Sequence, residues 1–201
     1  EEIDKIMLKE NVPSDRLLVG MAVSQRELAY ALPRSGSKTE CVEEAISTLS
    51  KLINHLTDVL GAVVVFVPHA IGPTPILDDR ISADWIRERC ASQDKVIVMK
   101  GDYDCMQLKG LAARMYMTIG TRLHFAIDSV CMNVPSMLIT HAGEFRCQGI
   151  FAGMLKQNDY LYLIDEINLN TLIEMVNDLW TNTDDIRNEL SKMLPGIRQD
   201  V

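Results

Sequence analysis

Gly61-Ala62-Val63-Val64-Val65-Phe66-Val67-Pro68-His69 is the stretch that decides the fold. Five consecutive β-branched or aromatic residues between a Gly-Ala step and a Pro read as a strand, and no polar residue interrupts them to give a wet face. A strand apolar on both faces belongs in a parallel sheet with helices covering each side. Pro68, His69, Gly72, Pro73, Pro75 and Asp78-Asp79 follow at once and mark the loop at its carboxyl end.

Upstream, Leu17 to Val23 is a second apolar run, containing Gly20 and emptying into Ser24-Gln25-Arg26. Between the two strands, Ser37 and Glu40 have capping-box spacing. Val42, Ala45, Ile46, Leu49, Leu52, Ile53 and Leu56 then repeat at helical period until Gly61. Downstream the alternation continues. A helix over Asp84 to Cys90 leads to a strand at Val96 to Met99, ended by Lys100-Gly101-Asp102. Met106 to Met115 reads as a short helix, and Met117 to Ile119 as a strand reaching Gly120-Thr121-Arg122. A helix from Leu123 to Cys131 precedes a strand at Met137 to Ile139, with Thr140-His141 beyond, and Tyr160 to Ile164 is the sixth strand. Asn170 is predicted to cap a helix carrying Leu172, Ile173, Val176, Leu179 and Trp180; Thr183-Asp184-Asp185 starts the last helix, and Pro195-Gly196 is predicted to stop it.

Six strands alternating with helices imply an α/β fold, a doubly wound, mainly parallel six-stranded Rossmann-like sheet with helices on both faces. Residues 1–201 are expected to form one domain. Twenty Lys plus Arg against twenty-eight Asp plus Glu give a net charge of -8, which argues against nucleic acid or an anionic membrane as the main partner. No apolar run reaches the roughly eighteen residues of a membrane span, and the charged start from Glu1 to Glu10 does not resemble a signal peptide, so a soluble, cytoplasmic chain is expected. The five cysteines lack CxxC or zinc spacing and read as free, buried thiols, with Met106, Met115 and Met117 in the core. Nothing in the pattern calls for a metal or a cofactor, and adjacent Asp78 and Asp79 are expected to diverge.

In such sheets ligands bind beyond the carboxyl ends of the strands, where loop amides and helix N-termini converge. The titratable residues expected there are Arg26, His69, Asp78, Asp79, Asp102, Arg122, His124, His141 and Arg146. Arginines and histidines gathered at one edge of an acidic chain suggest an anion-binding crevice. Gly120-Thr121 is read as letting the backbone approach a ligand, with Arg122 and His124 opening a helix whose N-terminus favours an anion. The plainer reading of Arg122 is a salt bridge to a local acid such as Asp128, and of His124 a hydrogen bond to backbone at a helix start. GxGxxG, GxxxxGK[ST], GxSxG and HExxH are all missing.

Ile119-Gly120-Thr121-Arg122-Leu123-His124-Phe125-Ala126-Ile127, followed by Asn133-Val134-Pro135, resembles the signature of the polysaccharide pyruvyl transferase family. Ser24-Gln25-Arg26, Phe66-Val67-Pro68-His69, Asp78-Asp79 and Gly101-Asp102-Tyr103 fit the same family in the same order, so the resemblance spans Leu17 to Ile164. One departure is Arg146, three residues before Gly149, where the family commonly has a Lys. The resemblance implies the C-terminal, donor-side half of a two-domain GT-B-like enzyme, with an N-terminal half as its partner. It further implies transfer of a pyruvyl group from phosphoenolpyruvate to two hydroxyls of a glycan or lipid-linked sugar acceptor as a ketal, in surface or capsular polysaccharide biosynthesis. His124 is then the proton donor, with Arg122, Arg26, His69, His141 and Arg146 binding substrate. Two other readings stand beside it: the donor domain of a GT-B nucleotide-sugar glycosyltransferase, and a non-catalytic Rossmann-like binding module.

Overall fold

The computed structural model describes residues 1–31 and 37–199. Six strands, β1 (Leu18–Ala22), β2 (Val63–Phe66), β3 (Val96–Val98), β4 (Met117–Gly120), β5 (Ser136–Thr140) and β6 (Leu161–Leu163), form one sheet in the order β3-β2-β1-β4-β5-β6. Every pairing is parallel, with Val19 opposite both Val64 and Met117.

Both faces of the central strands are dry, as the unbroken apolar runs require. On one face Val19, Met21, Val64 and Phe66 pack with Ile46, Leu49, Leu52 and Ile53 of α3 (Lys38–Asn54). The same core takes in α4 (Asp79–Glu88), α7 (Leu169–Thr181) and α8 (Thr183–Gln199). On the other face Leu18, Ala22, Val63 and Val65 meet Ile6 and Met7 of α1 (Glu2–Lys9), Leu111 and Ala112 of α5 (Cys105–Ala112) and Phe125 of α6 (Leu123–Cys131). The capping box at Ser37 is formed with both of its bonds. Gly61, at φ +72°, supplies the left-handed residue that turns the chain back into β2. Asn133 adopts φ 63° just past α6, where Asn commonly ends a helix, and Pro135 follows before β5.

Several sequence expectations are corrected. Helix α8 runs through Pro195, because Leu194 and Ile197 pack against the core on either side of it and their burial outweighs the lost hydrogen bond. Asn168, not Asn170, caps α7, its Oδ1 accepting from Asn170 and Thr171 backbone N–H groups. Glu2 to Lys9, read as a lead-in, is a helix whose Ile6 and Met7 are buried. Ser24-Gln25-Arg26, read as a loop, opens the short helix α2 (Gln25–Leu28). Met115 and Met117 are core residues, while Met106 is exposed. None of the five cysteines is in a disulfide; Cys41, Cys90 and Cys147 are buried, Cys131 is half-buried and Cys105 is exposed.

Candidate functional site

Strand order reverses between β1 and β4, so the loops leaving these two strands diverge over a crevice at the carboxyl edge. The Ser24 N–H donates across it to Thr121 Oγ1 at 2.8 Å, fixing the spacing of the two loops. A Cβ on Gly120 would stand 2.6 Å from the Ala22 carbonyl oxygen, so the neighbouring strand, and not a ligand, is what demands glycine there. Beside the crevice lies a cleft of about 240 Å3. Its walls are Glu27 from α2, Thr121 to His124 from the start of α6, Thr140 from the end of β5, and Glu144, Arg146 and Cys147 from the segment that follows.

Arg122 is the N-cap of α6, but its side chain does not cap the helix. It forks onto Asp79, the first residue of α4, with Nε 3.1 Å from both carboxylate oxygens and a terminal nitrogen 2.5 Å from Oδ1. Asp79 is 3% exposed and Arg122 27%. The other carboxylate oxygen of Asp79 accepts the backbone N–H groups of His69 and Ala70 at 3.1 and 3.0 Å. One carboxylate therefore ties the loop after β2 to the start of α6, and the acid that holds Arg122 is Asp79, not Asp128. A guanidinium carries five N–H donors, and this fork engages only the Nε–H and one terminal N–H, which leaves three outside the fork on a side chain that lines the cleft. Asp78 diverges as expected, capping α4 through Arg80 N–H and pairing with the Arg80 side chain. Among the described residues no group of three His, Cys, Asp or Glu side chains is placed to hold a metal ion.

His124 is exposed on the first turn of α6 and lines the cleft beside Arg122. His141 stands at the edge of the same region. Its Nδ1 accepts the Gly143 N–H at 3.2 Å, its ring stacks on Tyr30 at 3.8 Å, and its Nε2 lies 3.9 Å from Glu27 Oε2. Arg146 lines the cleft with its charge engaged, since its Nε and a terminal nitrogen each lie 2.8 Å from an oxygen of Glu144. Hydrogen bonding to Arg146 outweighs partial burial and holds the Glu144 carboxyl down to about 2. Burial pushes the Cys147 thiol up, moderated by the Thr140 hydroxyl.

Two of the sequence candidates stand apart. His69 is 5% exposed and packs at 4.7 Å against Phe125; its Nδ1 contacts the Val67 carbonyl at 3.2 Å, and Nε2 lies 3.9 Å from Asp128. It buttresses the base of α6 and is not among the cleft's lining residues. Arg26 is exposed on α2 and has no hydrogen bond or ion pair among the described residues. Asp102 is also exposed, in a loop pinned from below by Glu10, which accepts the Lys100 and Gly101 N–H groups at 2.9 and 2.8 Å and the Tyr103 hydroxyl. Sequence reasoning missed the acids that the fold brings to the cleft, Glu27 and Glu144. Glu27 sits one residue beyond the Ser24-Gln25-Arg26 block, and only the helical turn of α2 carries it inward.

A six-stranded all-parallel sheet in this order, with the cleft at its reversal point, defines a Rossmann-like, GT-B-like α/β fold. A UDP-N-acetylglucosamine 2-epimerase structure from Listeria monocytogenes superposes with a TM-score of 0.59 at 15% identity, over 93% of this chain and 42% of that one. The S. aureus MnaA structure with UDP gives the same TM-score and identity over 94% and 42%. At sequence level, a profile of the polysaccharide pyruvyl transferase family matches residues 16–143, and the chain belongs to that family. It is also 28% identical over 176 residues to the amylovoran biosynthesis protein AmsJ of Erwinia amylovora, covering 86% of this chain. The chain spans about 40% of that relative's length. No helix among the described residues is long and apolar enough to cross a membrane.

Proposed function

We propose that this chain is the donor-side half of a pyruvyl transferase that moves the pyruvyl group of phosphoenolpyruvate onto two hydroxyls of a sugar, in the cytoplasm, during polysaccharide biosynthesis. The observation that carries the reading is Arg122-Leu123-His124 at the open N-terminus of α6, facing a cleft at the strand reversal, inside the segment the family profile matches. Phosphoenolpyruvate presents a carboxylate and a phosphate. The three unengaged N–H groups of Arg122 and the first amides of α6 are suited to one anionic group. His124, exposed on the first turn, is the proton donor to the methylene carbon. Protonation there makes the adjacent carbon cationic, a sugar hydroxyl adds to it, phosphate departs, and the second hydroxyl closes the ketal. The two hydroxyl protons balance the one gained by the methyl group and the one that leaves on hydrogen phosphate.

Arg122 and Arg146 enter the cleft already paired with Asp79 and Glu144, so this is not a bare cationic hole. Donor selection then rests on directed N–H groups more than on net charge. Calorimetric titration of the protein with phosphoenolpyruvate, beside a nucleotide-sugar and inorganic phosphate, tests the reading. Selective binding of phosphoenolpyruvate, weakened tenfold or more by Arg122→Lys, supports it, since Lys keeps the charge opposite Asp79 but loses the fork. Preference for the nucleotide-sugar would move the assignment to a glycosyltransferase donor domain, and binding of none of the three would favour a non-catalytic module.

A further inference from the structure

Two carboxylates, Glu27 and Glu144, line the cleft, and Asp79 and Asp165 hold neighbouring loops; of the four, three accept hydrogen bonds from described residues. Asp79 is held by Arg122 and two backbone amides, Glu144 by Arg146, and Asp165 accepts the Ala142 N–H at 2.8 Å. Glu27 is different. It lines the cleft, its side chain is only 20% exposed, and no donor among the described residues hydrogen-bonds either of its oxygens. Its nearest polar neighbour is His141 Nε2, at 3.9 Å from Oε2. Because His141 Nδ1 accepts the Gly143 N–H, the neutral ring carries its proton on Nε2, on the side of Glu27. The stack on Tyr30 fixes the plane of that ring. A carboxylate that lines the cleft, stands beside an oriented imidazole and has no hydrogen-bond donor among the described residues keeps both oxygens available to a ligand's hydroxyl groups.

We infer that Glu27 is the acceptor-side residue of the cleft: its two oxygens receive the paired hydroxyls of a pyranose diol, and it takes the proton of the attacking one. Two acceptor oxygens on one planar group match two neighbouring hydroxyls, which a single amide or hydroxyl side chain does not. In the addition step, the O–H bond of the sugar hydroxyl breaks, its electron pair forms the bond to the cationic donor carbon, and the proton passes to Glu27. Glu27 returns that proton to the departing phosphate, so the step is balanced without any further reactant. His141 is a positioning residue that acts through Glu27.

This inference rests on the pyruvyl-transfer reading, and its test separates the two. In the full-length protein, methyl glycopyranosides with free hydroxyls are followed by saturation-transfer NMR, and phosphoenolpyruvate by calorimetry. Glu27→Gln keeps the side chain's shape and should leave the thermal midpoint and phosphoenolpyruvate affinity within twofold of the parent, while weakening the glycosides at least tenfold. His141→Asn should weaken the glycosides about threefold and leave phosphoenolpyruvate unchanged. Glycoside binding that survives Glu27→Gln, or is absent from the parent, overturns the inference. Loss of phosphoenolpyruvate binding in the parent, with glycoside binding still dependent on Glu27, overturns the donor reading alone.

Discussion

Asp79→Ala is the substitution that probes most of the site at once. Its carboxylate is 3% exposed and accepts the Arg122 fork and the amides of His69 and Ala70. Alanine removes all of these partners. Arg122, 27% exposed, can rehydrate, but the two half-buried amides beyond the carboxyl end of β2 lose their acceptor. Breaking a largely buried pair by removing one partner costs about 3–5 kcal/mol, and an orphaned amide costs about 1–3 kcal/mol. Partial hydration of Arg122 keeps each contribution near its lower figure, so about 5 kcal/mol is expected, a large part of the roughly 5–15 kcal/mol that holds a domain together. Asp79→Asn, which still offers an oxygen to the amides, should cost about half as much. Urea unfolding followed by far-ultraviolet circular dichroism measures each value. Arg122→Ala leaves the Asp79 charge buried with two donors, and the double variant should fall short of additivity by about 1–3 kcal/mol. A loss under about 1 kcal/mol for Asp79→Ala, or strict additivity in the double variant, would refute the hub described here.

Gly120→Ala should destabilise by about 1–3 kcal/mol, because the new methyl meets the Ala22 carbonyl and a strand end has little room to yield; an unchanged urea midpoint would show that β1 and β4 can part. The Glu144 carboxyl is held to about 2 in the folded chain against an ordinary 4.5, so its pairing stabilises above pH 4.5 and fades as pH falls toward 2. Thermal midpoints of the parent and Arg146→Gln should therefore converge near pH 2 and separate above pH 4.5, by a small amount that salt reduces; a gap independent of pH would contradict the pairing. Under native conditions near pH 8, a thiol reagent should label Cys105 first, while Cys90, pushed by burial to about 11, reacts only on unfolding. Mass spectrometry of the labelled peptides reads the order directly.

The sheet was legible because its strands are short apolar runs punctuated by Gly, Pro and polar residues, a pattern that needs no tertiary knowledge. Elements whose signal depends on packing were harder. Helix α1 shows Ile3, Ile6, Met7 and an exposed Leu8 among charged residues, and α8 continues past Pro195 because of the side chains flanking it. Within the site, Arg122, His124, His141 and Arg146 were predictable from their places beyond strand ends, and the structure puts the first two together on one cleft wall. The pairing of Arg122 was harder to read. Asp79 lies 43 residues from Arg122, and only the parallel order of β2, β1 and β4 brings them together. His69 looked equivalent to the other histidines in sequence, yet its ring turns beneath α6 and away from the cleft.

The bond from Asp79 to Arg122 crosses above the end of β1, since β2 and β4 are that strand's two neighbours. It makes the carboxyl edge of the sheet one-sided. Toward β2 stands the Asp79–Arg122 ion pair, whereas toward β5 lies the cleft, walled by Thr140 and by the second ion pair, Glu144–Arg146. The order of the strands thus puts the cleft at the start of α6 on the β5 side of the sheet edge.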